Sequence, residues 1–498
     1  MPDRSVFRPG VNCWRLDRAD DFSILIDADD YFSAIRGAMR SARRSIFLVG
    51  WDFDAGTTLG RPDLDDGAPR KVGDFIIWLA HNNPDLEISI LLWSPALLAS
   101  WMRPSNLPYL LRWKWHSRIS VRLDGRHPIG SSHHQKMIVV DNQVAFCGGI
   151  DVTLDRWDTR DHLDDNPMRR RPNGTPYGPW HDASTMFTGK AAKALAELCH
   201  KRWERAGGTE KLAAPSDDLI PPRHVPGFSF GAVDLAIART EPAHLQEPGV
   251  TEIESLYLDM IAAAQKLIYA ESQYFASRTI VQAIARRLAE ADGPEIVLIN
   301  PVASDNWLGA LAMDTARARL SESLRRHDPH NRFRIYHPVT AQNQPIYVHS
   351  KLMIVDDEIV RVGSSNINNR SMRFDRECDV AFEASGSEAM RSRIAALRTD
   401  LIAEHLGVCA KVLVREIGRT GSTIAAIEQL AKSQRGRTLM PYKAPEISDL
   451  EKWLADNEIL DPEGPEELFE PIERRGLFRD WLHLPRRRRK REAGRSSH

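Results

Sequence analysis

Short apolar runs alternate with amphipathic segments along the chain, and this order predicts strands followed by helices. An apolar run at Ser23–Ile26 precedes a helical pattern over Asp29–Arg43, and a strand is predicted next at Ser45–Trp51. Further strands are predicted at Glu87–Trp93, Ile119–Leu123, Lys136–Asp141 and Val144–Gly148. Strands that alternate with helices are typical of an α/β fold.

The pattern is interrupted and then begins again. Residues 215–231 are rich in Pro, Gly and Asp, which indicates a linker. A helix is predicted after it at Glu252–Gln265, with strands at Leu267–Gln273, Glu295–Asn300, Arg332–Tyr336, Lys351–Asp356 and Ile359–Gly363. The predicted organisation is an N-terminal lobe over 1–215, a linker over 216–235, a C-terminal lobe over 236–410 and a C-terminal extension over 411–498.

The two predicted lobes share a stretch of sequence. HHQKMIVVDNQVAFCGGID begins at His133, and VHSKLMIVDDEIVRVGSSN begins at Val348. Such an internal repeat predicts two lobes of similar structure. Each copy contains the pattern H-x-K-x-x-x-x-D, formed by His134, Lys136 and Asp141 in the first copy and by His349, Lys351 and Asp356 in the second.

Strand alternation divides the residues of each pattern into two groups. His134 and Lys136 fall on one face of their strand, as do His349 and Lys351, so an imidazole and an ammonium group can meet one phosphate. Asp141 and Asp356 fall on the opposite face, and we expect them to hold loops rather than to touch a substrate. The apolar residues between them suit a strand that is covered on both faces.

Composition excludes several classes of protein. The chain has 498 residues, of which 42% are apolar and 27% charged, and its net charge of −1 gives no strong attraction for nucleic acid. No apolar run is long enough to span a bilayer, and five scattered cysteines indicate neither a zinc site nor disulfides. We expect no metal or cofactor, a monomer, and a cytoplasmic or peripheral membrane location, with export that needs no cleavable signal left open. The basic stretch at 485–491 is expected to be a solvated tail.

The doubled pattern, followed by Gly363, Ser364 and Asn366 as G-S-x-N, resembles the signature of the phospholipase D superfamily. Over residues 20–410 the chain is similar to the eukaryotic type in particular. The segments that carry this similarity are GGID at 148–151, RWD at 156–158, PWHD at 179–182, YAESQYF at 269–275 and NNRSM at 368–372. In the first copy, Gly149 and Asp151 replace the Ser and Asn of G-S-x-N, and the eukaryotic-type enzymes share that difference.

The resemblance implies two α/β sandwich lobes related by pseudo-two-fold symmetry, with the active site at their interface. It also implies that His134 attacks phosphorus and forms a phosphohistidine while His349 protonates the departing alcohol. The near symmetry of the motifs does not by itself decide between the two histidines. Lys136 and Lys351 are expected to stabilise the phosphate charge.

In the family a carboxylate after each motif supports the histidine of the other half. This pairs Asp379 with His134, with Glu377 as the alternative, and Asp158 with His349. The remaining expected contacts to the substrate involve Gly149, Ser364 and Asn366 as hydrogen-bond donors to phosphate, and Trp180 and His181 near the substrate channel. A turn role for Asn366 and a packing role for the Trp-His pair remain open.

The expected activity is hydrolysis of glycerophospholipids at a membrane surface to phosphatidate and a free head group, with transfer to another alcohol as a side reaction. The alternatives are a nucleic-acid phosphodiesterase with the same chemistry and a catalytically silent lipid-binding protein. Small nucleases of the superfamily carry one motif per chain, which disfavours the first alternative. Candidate features for membrane docking are Trp101, Met102, Trp113, Trp115 and the basic tail.

Overall fold

A computed structural model describes residues 5–61, 66–93, 106–209, 226–245, 247–304, 313–433, 435–444 and 461. The first half of the chain, residues 5–209, contains eight strands and four helices among its described residues. The strands are β1 (Arg15–Ile26), β2 (Ser45–Gly50), β3 (Glu87–Trp93), β4 (Ile119–Asp124), β5 (Met137–Val140), β6 (Val144–Gly148), β7 (Trp180–His181) and β8 (Ala183–Thr188). The helices are α1 (Asp27–Ser41), α2 (Val72–Asn82), α3 (Leu107–Lys114) and α4 (Gly189–Arg205).

The second half, residues 226–444, repeats this order and extends it. Its strands are β9 (Phe228–Glu241), β10 (Val250–Thr251), β11 (Leu267–Glu271), β12 (Glu295–Ile299), β13 (Phe333–Val339), β14 (Tyr347–Val348), β15 (Leu352–Val355), β16 (Ile359–Gly363), β17 (Glu377–Glu383) and β18 (Thr438–Pro441). Its helices are α5 (Glu252–Ala263), α6 (Arg278–Leu288), α7 (Thr315–Arg326), α8 (Glu388–Leu406), α9 (Ala410–Thr420) and α10 (Thr423–Ser433), and a π-helical turn covers Arg370–Phe374.

One mixed sheet runs through both halves. Its order is β18-β13-β12-β11-β15-β16-β17-β9-β1-β8-β6-β5-β2-β3-β4, so apart from the added edge strand β18 the second half repeats the first in mirror order. The halves join where β1 pairs antiparallel with β9. In each half three parallel strands, β2-β3-β4 and β11-β12-β13, lie outside an antiparallel hairpin that carries the motif. The α/β class and the duplicated architecture predicted from the sequence are therefore present.

Side chains alternate in direction along each motif strand, and both faces of the strand are packed against helices. In β5, Ile138 and Val140 belong to the core beneath α1 and α2, while Met137 and Val139 face the core that contains α4. In β15, Met353 and Val355 face the core of α5 and α6, and the two other residues face the core of α8. Each motif strand is thus apolar throughout because helices cover it on both sides.

Two predicted boundaries are wrong. The linker predicted over 216–235 is too long, because β9 begins at Phe228 and pairs with β1; residues 216–225 lie outside the described residues. The extension predicted from residue 411 also begins too early. Strand β18 pairs with β13 at the sheet edge, so residues up to 441 belong to the second half. The basic tail at 485–491 lies outside the described residues.

Among the residues that the structure describes, no helix combines the length and the hydropathy needed to cross a membrane.

Candidate active site

Each motif begins where one half meets the other. The backbone N–H of His134 donates to the carbonyl of Arg376 at 2.9 Å, and the N–H of His349 donates to the carbonyl of His181 at 2.8 Å. Strand β7 of the first half also pairs in parallel with β14 of the second. The two histidines are therefore positioned by the junction of the halves rather than by either half alone.

Each histidine contacts a carboxylate from the opposite half. Nδ1 of His134 lies 3.1 Å from both carboxylate oxygens of Glu377, and Nδ1 of His349 lies 2.6 Å from Oδ2 of Asp182. The cross-half arrangement implied by the resemblance is present. Of the two candidates for His134, Glu377 makes the contact and Asp379 does not. For His349, the expected Asp158 is wrong and Asp182 takes its place.

The strand register explains this correction. Gly148 of β6 pairs with Ser184 of β8, and Gly363 of β16 pairs with Asp379 of β17. Asp182 and Glu377 lie two residues before these partners, so they are equivalent positions of the repeat. Aligning the two halves beyond the motif itself would show that the two positions are equivalent, but not that they contact the histidines. The segment PWHD contains Asp182, and nothing in that segment alone marks it as the partner of a histidine.

The two displaced aspartates have structural partners. Asp379 accepts hydrogen bonds from Arg361 Nε at 2.8 Å and from the Ser364 N–H at 3.0 Å, and an added Cβ on Gly363 would lie 1.9 Å from its Oδ1. Asp158 accepts from Arg169 Nη1 at 3.0 Å and contacts His162 Nδ1 at 3.0 Å. Their carboxylates are neutralised by buried cations, which leaves them unavailable to His134 and His349.

The two lysines lie in different surroundings. Nζ of Lys136 is 3.2 Å from Oδ2 of Asp151 and 5.8 Å from the centre of the Trp51 ring. Nζ of Lys351 is 3.4 Å from the amide oxygen of Gln273 and also donates to the His349 carbonyl. By strand register, Trp51 of the first half corresponds to Gln273 of the second. The first lysine therefore has a carboxylate partner and an aromatic neighbour, and the second has a neutral amide.

Burial and positive charge keep both imidazoles neutral. Burial lowers the pKa of His134 well below its usual value, and the ammonium groups of Lys136 and Lys351 lower it further. Burial likewise lowers the pKa of His349, with Lys351 and Arg156 adding to the effect. Because each histidine senses the lysines of both halves, the four side chains share one electrostatic environment.

The neighbouring groups are shifted as well. Burial raises the pKa of Glu377 to about 8 against the hydrogen bond from Ser364. It also raises the pKa of Asp182, which the charge of Lys351 opposes. Burial lowers the pKa of Lys351 to about 7, although Asp182 opposes this shift. An anion bound between the lysines would favour the charged form of Lys351 and the protonation of a histidine.

Of the three expected phosphate donors, two are already engaged. The Ser364 hydroxyl donates to Oε2 of Glu377 at 2.5 Å, so it supports the partner of His134. The Gly149 N–H donates to the Ala183 carbonyl at 2.9 Å. Gly149 serves close packing instead, because an added Cβ would lie 2.2 Å from Oδ1 of Asp182. Among the described residues the buried amide oxygen of Asn366 has no hydrogen-bond partner; because this oxygen is an acceptor, the donation to phosphate expected of Asn366 stays a prediction.

Trp180 and His181 have different environments although they are adjacent. The Trp180 ring stacks on Tyr347 with centroids 4.5 Å apart and lies 5.2 Å from the His349 ring, so it forms a wall beside the catalytic centre. The Arg156 guanidinium lies 4.2 Å from the Trp180 ring centre. His181 is fully buried, with Nε2 2.9 Å from Oε2 of Glu271. The direct substrate contact expected for His181 is therefore not supported.

His181 belongs to a buried cluster whose atoms could hold a metal ion. Its members are Asp27, His162, His181 and Glu404, each with one possible ligand atom within 4.8 Å of the others. Two imidazoles with two carboxylates form a donor set that divalent transition metals accept. The same atoms also form ion pairs, and the surrounding acids raise the pKa of His162 to about 9 against burial. The cluster tethers β7 beside the site without contributing to it directly.

The motif aspartates hold the turn before the first parallel strand of each half. Asp141 accepts the backbone N–H groups of Arg43, Arg44 and Ser45, each at 2.7 Å. Asp356 accepts the corresponding N–H groups of residues 265–267. These contacts have the loop-holding character expected from strand alternation.

Comparison with known proteins places these features in a family. The family model described as Phospholipase D matches residues 125–220 and 313–451, which include both motifs. Phospholipase D A of Dictyostelium discoideum is 25% identical over 80% of this chain and 37% of its own length. Phospholipase D1 of Schizosaccharomyces pombe is 23% identical over 78% of this chain and 35% of its own length. The chain thus spans little more than a third of either relative.

One solved structure supports the fold. Phosphatidylserine synthase of Haemophilus influenzae aligns with a TM-score of 0.52 and 13% identity, covering 81% of this chain and 96% of that protein. At this identity the likeness concerns the arrangement of the chain alone.

Proposed function

Because the chain belongs to the phospholipase D superfamily and resembles the eukaryotic type, we propose that it hydrolyses glycerophospholipids to phosphatidate and a free head-group alcohol. The observation that carries this proposal is the set of two histidines, each held by a carboxylate of the opposite half, with two lysines that act on both. A phosphodiester resists attack because it is anionic, and this arrangement offers nucleophile, proton donor and positive charge together.

In the proposed first step, Nε2 of His134 attacks phosphorus and the bond from phosphorus to the head-group oxygen breaks. His349 gives its proton to that oxygen, which leaves as the alcohol. In the second step water loses a proton to His349 and attacks phosphorus, so that phosphatidate is released and His134 is regenerated. An alcohol in place of water would give transphosphatidylation.

The assignment of the two histidines is supported by their carboxylates. The 2.6 Å contact of His349 with Asp182 is shorter than the 3.1 Å contacts of His134 with Glu377, and a closer carboxylate stabilises an imidazolium better. The negative phosphate would offset Lys351 and Lys136, so His349 gains a proton when substrate binds. His134, whose carboxylate contact is longer, stays neutral and serves as the nucleophile.

A lipid substrate requires a face that meets the membrane, and we assign it to α3. Leu107, Leu111 and Trp115 recur at intervals of four residues and are 48%, 54% and 85% exposed, so they share one side of the helix. Arg112 and Lys114 lie in its last turn, where they suit an anionic surface. Of the other docking candidates, Trp113 is buried, and Trp101 and Met102 lie outside the described residues.

The test is release of head group and phosphatidate from mixed phospholipid vesicles in chelator, with DNA hydrolysis measured in parallel. Wild type is compared with His134→Ala, His349→Ala and the exposed control His330→Ala. Release that both active-site variants lose and the control keeps would support the proposal. DNA cleavage without lipid turnover would overturn it in favour of a nuclease, and intact lipid binding without any turnover would favour a silent lipid-binding protein.

A further inference from the structure

A second recess lies in the first half, away from the catalytic histidines and lysines. It is a cavity of about 310 Å³ between the segments that precede α2 and the loop after β6. Its size is at the lower end of the range of about 300–1,000 Å³ that is usual for small-molecule sites. Its charged lining residues are Arg70, Lys71, Asp155, Arg170 and Arg171.

The charged residues of this cavity are mostly cations. Four basic side chains line it, and Asp155 is the one acid among the described lining residues. That acid is already engaged, since Arg171 binds it through two nitrogens at 2.9 and 2.7 Å. Arg70 and Lys71 are exposed and form no ion pair with any residue that the structure describes. The cavity therefore presents positive charge that the described residues do not neutralise.

Neutral features of the cavity complement this charge. Thr57 lines it, and the buried hydroxyl of Thr57 has no hydrogen-bond partner within the described part of the chain. Three aromatic side chains, Phe32, Trp157 and Tyr177, supply apolar walls. A cluster of cations with a hydroxyl donor matches the oxygens of a phosphate group, and aromatic walls accept a small organic body attached to it.

We propose that this cavity binds a phosphate monoester. Arg70, Lys71 and Arg170 would contact the dianionic phosphate, and the hydroxyl of Thr57 would donate to one of its oxygens. The chemistry is shared by the head group of a phosphomonoester lipid and by a free phosphorylated metabolite. The site stands whether or not the proposed hydrolysis is correct, because none of these residues belongs to the catalytic centre.

The cavity is also connected to the catalytic centre. The loop 151–158 forms one of its walls and carries Asp151, the partner of Lys136. The same loop carries Arg156, whose guanidinium lies over Trp180. A ligand that orders this loop would act on Lys136 and on the wall beside His349, and so would change turnover without touching the substrate.

The test measures binding of glycerol 3-phosphate by titration calorimetry. Wild type is compared with Arg70→Ala/Lys71→Ala, with Arg170→Ala, and with Lys190→Ala/Lys193→Ala, which removes two exposed charges from α4. We expect the dissociation constant to rise roughly tenfold or more in the first double variant and to be unchanged in the control. Binding that is absent from wild type, or that persists undiminished in the first double variant, would overturn the proposal.

A second arm identifies the source of the phosphate. Phosphatidylcholine vesicles containing phosphatidate are compared with vesicles of equal charge containing phosphatidylglycerol, with every protein carrying His134→Asn so that neither vesicle is converted to phosphatidate. Preference for phosphatidate that Arg70→Ala/Lys71→Ala abolishes would assign the site to a lipid head group. Binding of glycerol 3-phosphate without that preference would assign it to a free metabolite. Turnover of a short-chain phospholipid is also measured without added ligand in wild type and in Arg70→Ala/Lys71→Ala. Equal turnover in the two proteins shows that the catalytic centre is intact, so failure of the cavity proposal is separated from failure of the catalytic one.

Discussion

The two halves have the same strand order but different chemistry at equivalent positions. Lys136 is paired with Asp151, whereas Lys351 has Gln273. His134 contacts Glu377 at 3.1 Å, whereas His349 contacts Asp182 at 2.6 Å. A duplicated scaffold places two similar sets of residues at one candidate site. In the proposed mechanism, the substitutions between the halves allow one histidine to act as nucleophile and the other as acid.

The largest effect should come from substituting either of the two histidines. His134→Asn and His349→Asn should each lower lipid turnover by about 10⁴-fold or more. The two variants should differ on a phosphodiester with nitrophenol as leaving group, because nitrophenol needs no proton to depart. Stopped-flow absorbance should show a burst of one nitrophenol per enzyme with His349→Asn and none with His134→Asn. A burst from His134→Asn instead would reverse the two roles.

The cross-half carboxylates should come next. Asp182→Asn and Glu377→Gln should each lower kcat by roughly 10²-fold or more, because each histidine loses the acceptor that orients Nδ1. Kinetics with a short-chain phospholipid measure this effect.

Asp158→Asn is the matched comparison, because that residue was predicted for the site but lies in a buried ion pair with Arg169. Its substitution should lower the midpoint of thermal unfolding while the folded fraction keeps its kcat. A loss of kcat equal to that of Asp182→Asn would contradict the assignment of Asp182.

The pH dependence should separate the two histidines further. Nδ1 of His134 also lies 3.0 Å from the Ser364 carbonyl, which can only accept, so Nδ1 carries the proton and Nε2 is the attacking nitrogen. Burial raises the pKa of Glu377 to about 8, so below this pH the protonated carboxyl leaves Nε2 a poor nucleophile, and above it the carboxylate accepts from Nδ1 and strengthens Nε2. Because the pKa of Glu377 is about 8, kcat/KM should rise roughly tenfold between pH 7 and 9. The pH profile of Glu377→Gln should lack this rise, and a rise that persists in the variant would assign it to another group.

The smallest effect concerns the outer helices of the two halves. Helix α3 exposes Leu111 and Trp115, whereas α7, which also precedes the last parallel strand of its half, exposes Arg325 and Arg326. Leu111→Ser/Trp115→Ser should weaken sedimentation with vesicles several-fold, since two apolar side chains are lost from the interface. Arg325→Ala/Arg326→Ala should have little effect. Equal losses from both variants would show that α3 is not the docking face.

Much of the scaffold could be predicted because its strands are apolar. Glu87–Trp93, Val144–Gly148 and Ile359–Gly363 match β3, β6 and β16 without change. Strand β1 was predicted only from Ser23, although it begins at Arg15. Its first residues are mostly charged and partly exposed, and only pairing with β9 makes them a strand.

Strand β17 was not predicted because it contains Glu377 and Asp379 among its buried residues. Two buried carboxylates in a short segment suggest a loop, since isolated charges are costly to bury. Here Arg361 binds Asp379, and His134 with two serine hydroxyls contacts Glu377. The compensating groups come from other segments of the chain, so this strand cannot be recognised from its own residues.

By itself the sequence determined the α/β class, the duplication, and the two histidines and lysines that carry the candidate chemistry. These follow from short-range patterns, because alternation and motif spacing are local properties of the chain. The tertiary structure decided which carboxylate contacts each histidine, which hydroxyls are already engaged, and how the two lysines differ. The two histidine–carboxylate contacts join residues 243 and 167 positions apart, and the burial that shifts their pKa values exists only once the two halves meet in one sheet.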